Sequence, residues 1–191
     1  KSNEYYSKDG DKGTSKTLEG EVLAKDSKIF NAIGATEELL SYIGLAREYA
    51  QESEHEYSDK LKRIQTIIID LNTAISRSKN KSLKKIIPQS HTKELEEWIR
   101  EYAKELPPPE KNIIPGGGIT CASLHVARAI CRRTERVVVP LVKEGQLHNE
   151  ALVYLNRLAD FLFIVARLAA KLDKRTETIY IPKPDGKIKT Q

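Results

Sequence analysis

A chain of 191 residues, 39% of them apolar and 31% charged, is long enough for one domain with its own core and too apolar to be a disordered one. No apolar run reaches the roughly 20 residues that span a bilayer, so the chain reads as soluble. A net charge of +5 without a dense basic block favours a small anionic ligand such as a nucleotide over DNA. The only cysteines, Cys121 and Cys131, fall in a stretch that reads as helical and stand about 15 Å apart along its axis, too far to pair. Four scattered histidines and the absence of any CxxC or HxxxH spacing argue against zinc, and the cysteine usage fits a reducing compartment. The chain has no methionine, so it reads as a trimmed piece, and the lack of a targeting peptide carries no information.

In chain order, residues 7–17 come first: "SKDGDKGTSKT", with three lysines, two aspartates, two glycines and four hydroxyls. This is either a frayed, solvated terminus or a loop whose backbone amides and lysines hold phosphates. A helix is predicted over 27–51, with Ile29, Ile33, Leu40, Ile43 and Ala46 on one stripe. Glu37 interrupts that stripe, and a charge there asks for an arginine unless it snorkels at the stripe's edge. A second helix, 58–77, aligns Leu61, Ile64, Ile68, Leu71 and Ile75, with Ser58 and Asp59 as capping candidates.

The lysine-rich "RSKNKSLKKIIPQS" loses the period and reads as a loop, and it lacks the aromatic residues that stack RNA bases. Thr92 is predicted to cap "KELEEWIREYAKEL". "PPPEKNIIPGGG" cannot be helical and reads as a surface linker. A long helix restarts near Ile119 and runs to Gly145, with a kink predicted at Pro140. "HNEALVYLNRLADFLFIVARLAAKLDKR" is the last and most apolar helix, and the tail "TETIYIPKPDGKIKTQ" is predicted to be mobile. Five amphipathic helices and no convincing strand predict an all-α, antiparallel five-helix bundle. One domain is expected, made of an N-terminal loop (1–26), the bundle (27–175) and a flexible tail (176–191).

Some polar residues sit where apolar ones belong. The last helix is apolar on nearly every side yet carries Asn156, Arg157, Asp160 and Arg167, so these groups face a partner, form a structural network or make a subunit contact. Asn156 and Asp160 share a face. On the preceding helix Arg128, Arg132 and Glu135 fall at i, i+4 and i+7, with Arg136 close by and Arg133 pointing elsewhere. Guanidiniums gathered on one face predict an anion or carboxylates between them; a solvated face is the alternative for Arg132 and Arg136.

"SKDGDKGTSKT", "KDSKIFNAIGATEEL", "IIPGGG", "LHVARAICRRTERVVVPL" and "YLNRLADFLFIVAR", in this order and spacing, resemble the PduO-type ATP:cob(I)alamin adenosyltransferases over roughly residues 5–180. "CRRTER" followed by "NRLAD" is the most specific part. The resemblance implies a ferritin-like, cobalamin adenosyltransferase-like five-helix bundle that forms a homotrimer, with ATP bound between neighbouring subunits. It implies transfer of the 5′-deoxyadenosyl group of ATP to cob(I)alamin, with Mg²⁺ and release of triphosphate. By similarity Ser7, Lys8, Gly10, Asp11, Lys12, Gly13 and Thr14 wrap the triphosphate and Lys25 adds a cation. Arg128, Arg132, Glu135, Arg136 and Asn156 line the ATP site, with Asn156 near the Mg²⁺, and Asn112 and Asp160 belong to the cobalamin side.

Two positions depart from the family pattern. Asn112 stands where phenylalanine is common, which implies weaker removal of the lower axial ligand of cob(II)alamin. Glu37 stands where an aspartate usually pairs with the arginine matching Arg128, a pairing expected to survive one added methylene. "LEEWI" and "CRRTERVVVPLV" look closer to the eukaryotic mitochondrial branch, so a mitochondrial matrix location is expected, with bacterial cytoplasm as the alternative. A cobalamin reductase and an adenosylcobalamin-dependent acceptor enzyme are expected partners, and no nucleic acid or membrane. The alternative reading is a non-catalytic helical bundle that binds nucleotide or protein.

Overall fold

The computed structural model describes residues 5–77, 87–108 and 112–182. The lysine-rich stretch 79–85 and the end of the tail, 183–191, lie outside them. The described elements run β1 (Thr14–Lys16), β2 (Val22–Ala24), α1 (Lys28–Glu52), α2 (Ser58–Ser76), α3 (Gln89–Ala103), β3 (Ile113–Ile114), α4 (Ile119–Lys143), α5 (Glu150–Leu172) and β4 (Thr178–Ile179). The five-helix bundle is as predicted.

Helix neighbours follow the order α2, α1, α4, α5, α3, so α4 and α5 pack on each other near the middle. Leu39 and Ile43 of α1, Leu61, Ile64, Ile68, Leu71 and Ile75 of α2, and Tyr154 and Phe161 of α5 are fully buried. Each large apolar side chain withdrawn from water contributes about 1.5–3 kcal/mol. No helix among the described residues is long and apolar enough to cross a membrane.

Local chemistry sets the helix ends. Ser27 caps α1, its hydroxyl accepting the Phe30 N–H at 3.3 Å. Ser58 and Asp59 do not cap α2; they lie in its first turn behind Tyr57, where Asp59 suits the positive end of the helix dipole. Thr92 is not a cap either. α3 begins at Gln89 behind the extended Pro88, and Thr92 is a buried position on the same stripe as Leu95 and Tyr102. α4 passes through Pro140 and ends at Lys143.

The prediction of no strands is overturned by two short antiparallel ribbons. β1 and β2 pair with Ser15 opposite Leu23, closing the turn with Gly20 at φ 79°. The turn is fastened to the bundle where the Leu18 N–H donates to Ser76 Oγ at 3.0 Å, at the end of α2. β3 and β4 pair with Ile113 opposite Ile179, so the described part of the tail is held against the proline loop. Strands this short have too few residues for a readable period of two.

Candidate functional site

Two polar rows face each other along α4 and α5. On α4 the row is His125, Arg128, Arg132 and Glu135; on α5 it is Asn156 and Asp160, continued by the aromatic Phe163. At one end Asn156 Nδ2 donates to Glu135 Oε1 at 3.4 Å. Further along, the Arg128 guanidinium lies 5.2 Å from the centre of the Phe163 ring, a cation–π contact. Arg132 and Arg136 are exposed, and Arg136 Nη1 donates to the Arg132 carbonyl at 3.2 Å. Arg133 points elsewhere as read, and pairs with Glu38 of α1.

Glu37 is a correction. The buried stripe of α1 runs through Ala32, Ala35, Thr36 and Leu39, with Ile33 and Leu40 only half-buried, so Glu37 is exposed and does not break it. Its neighbour Glu38 pairs with Arg133, not with Arg128, so it does not stand in for the expected pairing of Glu37.

The N-terminal segment is a compact turn rather than a frayed end. Asp11 N–H donates to the Lys8 carbonyl, Gly13 N–H to the Gly10 carbonyl, and Lys25 N–H to the Gly13 carbonyl. Gly13 has φ 77°, which favours glycine, and a Cβ on Gly10 would stand 2.8 Å from Lys25 Nζ, so Lys25 crosses directly over it. Ser7, Asp9, Gly10, Thr14, Ser15 and Lys16 line a hollow of about 500 Å³ with Val22. Lys8, Asp11 and Lys12 are exposed beside it.

A second hollow of about 450 Å³ lies between α3 and α5, lined by Ile99, Phe163 and Ile164 with Glu96, Arg157 and Asp160 at its polar edge. Arg157 Nε donates to Glu96 Oε1 at 2.9 Å and its Nη1 to Asp160 Oδ2 at 3.5 Å. Asn112 is exposed at φ 67°, and its carbonyl accepts the Tyr180 N–H at 3.0 Å. Asparagine tolerates this left-handed conformation better than a bulky aromatic does, which gives the residue a backbone reason to be there.

Sequence reading missed His125 and Phe163, although both continue the polar rows at helical spacing. His125 is 6% exposed, packs edge-on to Phe163, and has both ring nitrogens buried without a hydrogen-bond partner among the described residues. Burial first, and then the neighbouring Arg128 charge, holds its imidazole below the usual range. The unfolded chain therefore takes up the extra proton, so this contribution to stability is full above about pH 6.5 and is lost as pH falls. His125→Leu is expected to flatten the fall in unfolding free energy between pH 7 and pH 5, measured by urea titration; an unchanged pH slope would contradict this.

The fold and the site together define a helical bundle with an arginine row, a carboxylate and an amide on adjacent helices, a set whose chemistry suits an anion. The model of the family Cobalamin adenosyltransferase matches residues 5–169. The corrinoid adenosyltransferase MMAB of Mus musculus is 41% identical over 92% of this chain and 76% of its own length. The corrinoid adenosyltransferase of Bacillus subtilis is 36% identical over 85% of this chain and 84% of its own. A variant PduO-type ATP:corrinoid adenosyltransferase from Lactobacillus reuteri, solved with cobalamin and ATP, superposes with a TM-score of 0.87 at 32% identity, covering 93% of this chain and 96% of that one. This chain belongs to the cobalamin adenosyltransferase family, of the PduO type.

Proposed function

We propose a division of labour for the reaction this enzyme catalyses, transfer of the 5′-deoxyadenosyl group of ATP to cob(I)alamin. The observation that carries it is the row of Arg128, Arg132 and Glu135 along α4, with Asn156 of α5 bonded to Glu135 at its end. Arg132 and Arg136 bind the triphosphate, and Arg128, stacked on Phe163, marks the passage towards the corrinoid. Ser7, Lys8, Gly10, Asp11, Lys12, Gly13 and Thr14, with Lys25, close over the triphosphate from a neighbouring copy in a homotrimer. Lysines supply point charge there, and the glycine backbone allows amides to approach phosphate oxygens. The hollow beside Phe163 and Asp160 receives the corrinoid, whose broad apolar face suits Ile99 and Ile164.

Cob(I)alamin is the nucleophile. Its electron pair attacks C5′, the cobalt–carbon bond forms, the C5′–O5′ bond breaks, and that bond's electron pair leaves on the triphosphate. The protein needs no nucleophile of its own, and its two thiols are poor ones: both are buried, burial pushing Cys121 up to about 12 and Cys131 further. What the protein supplies is alignment of C5′ with cobalt and positive charge for the leaving group.

Among the described residues no group of three or more acidic, histidine or cysteine side chains is placed to hold a metal. A Mg²⁺ carried on the triphosphate would take most of its ligands from phosphate and water, with Glu135 and Asn156 offering protein oxygens. When bound it neutralises charge on the leaving group.

Mixing the protein with Mg-ATP and chemically reduced cobalamin is expected to convert the visible spectrum to that of adenosylcobalamin. Binding of ATP without conversion would favour the non-catalytic module instead. Higher identity to the mouse enzyme than to the bacillary one supports a mitochondrial matrix address, with a cobalamin reductase upstream and an adenosylcobalamin-dependent enzyme downstream. Import of a tagged full-length precursor into isolated mitochondria tests the address, and its exclusion would point to a bacterial cytoplasm.

A further inference from the structure

Arg167 is a buried charged residue of α5 that the proposed reaction leaves unused. It is 2% exposed, one helical turn beyond Phe163 and on the same face. Its Nε donates to both oxygens of Glu177, at 3.3 and 3.2 Å, and its Nη1 donates to the Pro107 carbonyl at 3.3 Å. Glu177 belongs to the segment that follows α5, and Pro107 to the segment that leaves α3.

These same two segments meet again beyond the arginine. Ile114 pairs with Thr178 and Ile113 with Ile179, and the Tyr180 N–H reaches the Asn112 carbonyl. The glycines that follow are pressed against the end of α5. A Cβ on Gly117 would lie 3.0 Å from Ala170 Cβ, and one on Gly118 3.2 Å from Arg175 Cγ. Asp173 fastens this corner to the turn after α1, accepting from His55 Nε2 at 2.8 Å.

We infer that Arg167 is a positioning residue for the corrinoid side of the site. By holding Glu177 and the Pro107 carbonyl together it latches the tail to the proline loop, and so sets where Asn112 stands relative to Phe163. A buried guanidinium that lost Glu177 would be left with a single carbonyl, so the latch closes as a unit and opens as a unit. Surface packing alone would not call for a charged residue here; leucine would fill the same space.

This inference rests on the reading that the Phe163 side takes the corrinoid, and the test separates the two. Glu177→Ala is used because Arg167 lies in the core. Hydrogen exchange of the free protein reads the latch without any substrate: the amides of Ile114 and Tyr180 are expected to lose protection together, while those of α4 do not change. In the adenosylation assay the same variant is expected to raise KM for cob(I)alamin about tenfold, a size typical of reactant misplacement, and to leave KM for ATP within about twofold. Glu177→Gln, which keeps a hydrogen-bond acceptor, should recover most of the loss. Unchanged exchange at Ile114 and Tyr180 would overturn the latch. Coupled exchange with KM values for both substrates unchanged, or raised together with a lowered melting temperature, would reduce Arg167 to a structural role. A wild-type chain that converts no cobalamin while showing coupled exchange would overturn the corrinoid reading and leave the latch standing.

Discussion

Arg132→Ala is expected to cut turnover by about two to three orders of magnitude, the usual loss when a donor to developing negative charge is removed. The side chain is exposed, so the variant should fold and melt as the wild type does. That combination is what distinguishes a group acting on the leaving triphosphate from one acting on the bundle. The adenosylation rate with saturating cob(I)alamin, beside a thermal melt, checks it. Near-wild-type turnover would show that the triphosphate does not lie along α4.

Phe161→Ala is expected to do the reverse, costing about 3–5 kcal/mol of stability through lost burial and the cavity left behind. Phe161 is fully buried, and its ring centre lies 5.6 Å from that of Trp98, so it is where α5 receives α3. For a chain of this size such a loss lowers the melting temperature by roughly 10 °C. Denaturant unfolding of the variant checks it, and a change below about 1 kcal/mol would mean that α3 is not held through this ring.

Most of the bundle was legible because Leu, Ile and Val recur at three- and four-residue spacing on its buried faces, as in α2. The failures have particular causes. In α1 Ile29, Ile43 and Ala46 are buried as predicted, but the middle of the stripe is written in Ala32, Ala35 and Thr36, small residues that carry little weight beside Ile33 and Leu40; there the face was read about one position out, and Glu37 with it. Thr92 looked like a cap because capping and burial both suit a threonine, and Leu95 three residues on decides between them only once the helix is seen to start at Gln89. The arginine row of α4 could be read along one helix. The meeting of Glu135 with Asn156 could not, since that depends on the register between α4 and α5, which no local pattern encodes. The role of Arg167 was hidden for the same reason, its partners Glu177 and Pro107 being brought together by the fold rather than by spacing.

The fastening of the β1–β2 turn to Ser76 divides the N-terminal segment into two thermodynamic parts. Residues beyond Thr14 are already fixed to the bundle by strand pairing and by the Leu18–Ser76 hydrogen bond, so their ordering is settled at folding. The part before Thr14 is itself held by its own turns and by the Lys25–Gly13 backbone bond, so in the proposed site few residues remain to be ordered around a triphosphate, and each one spared lightens the entropic penalty of binding by about 1–2 kcal/mol. On the proposed site, nucleotide affinity is thereby partly a property of α2, a helix that contributes no residue to it.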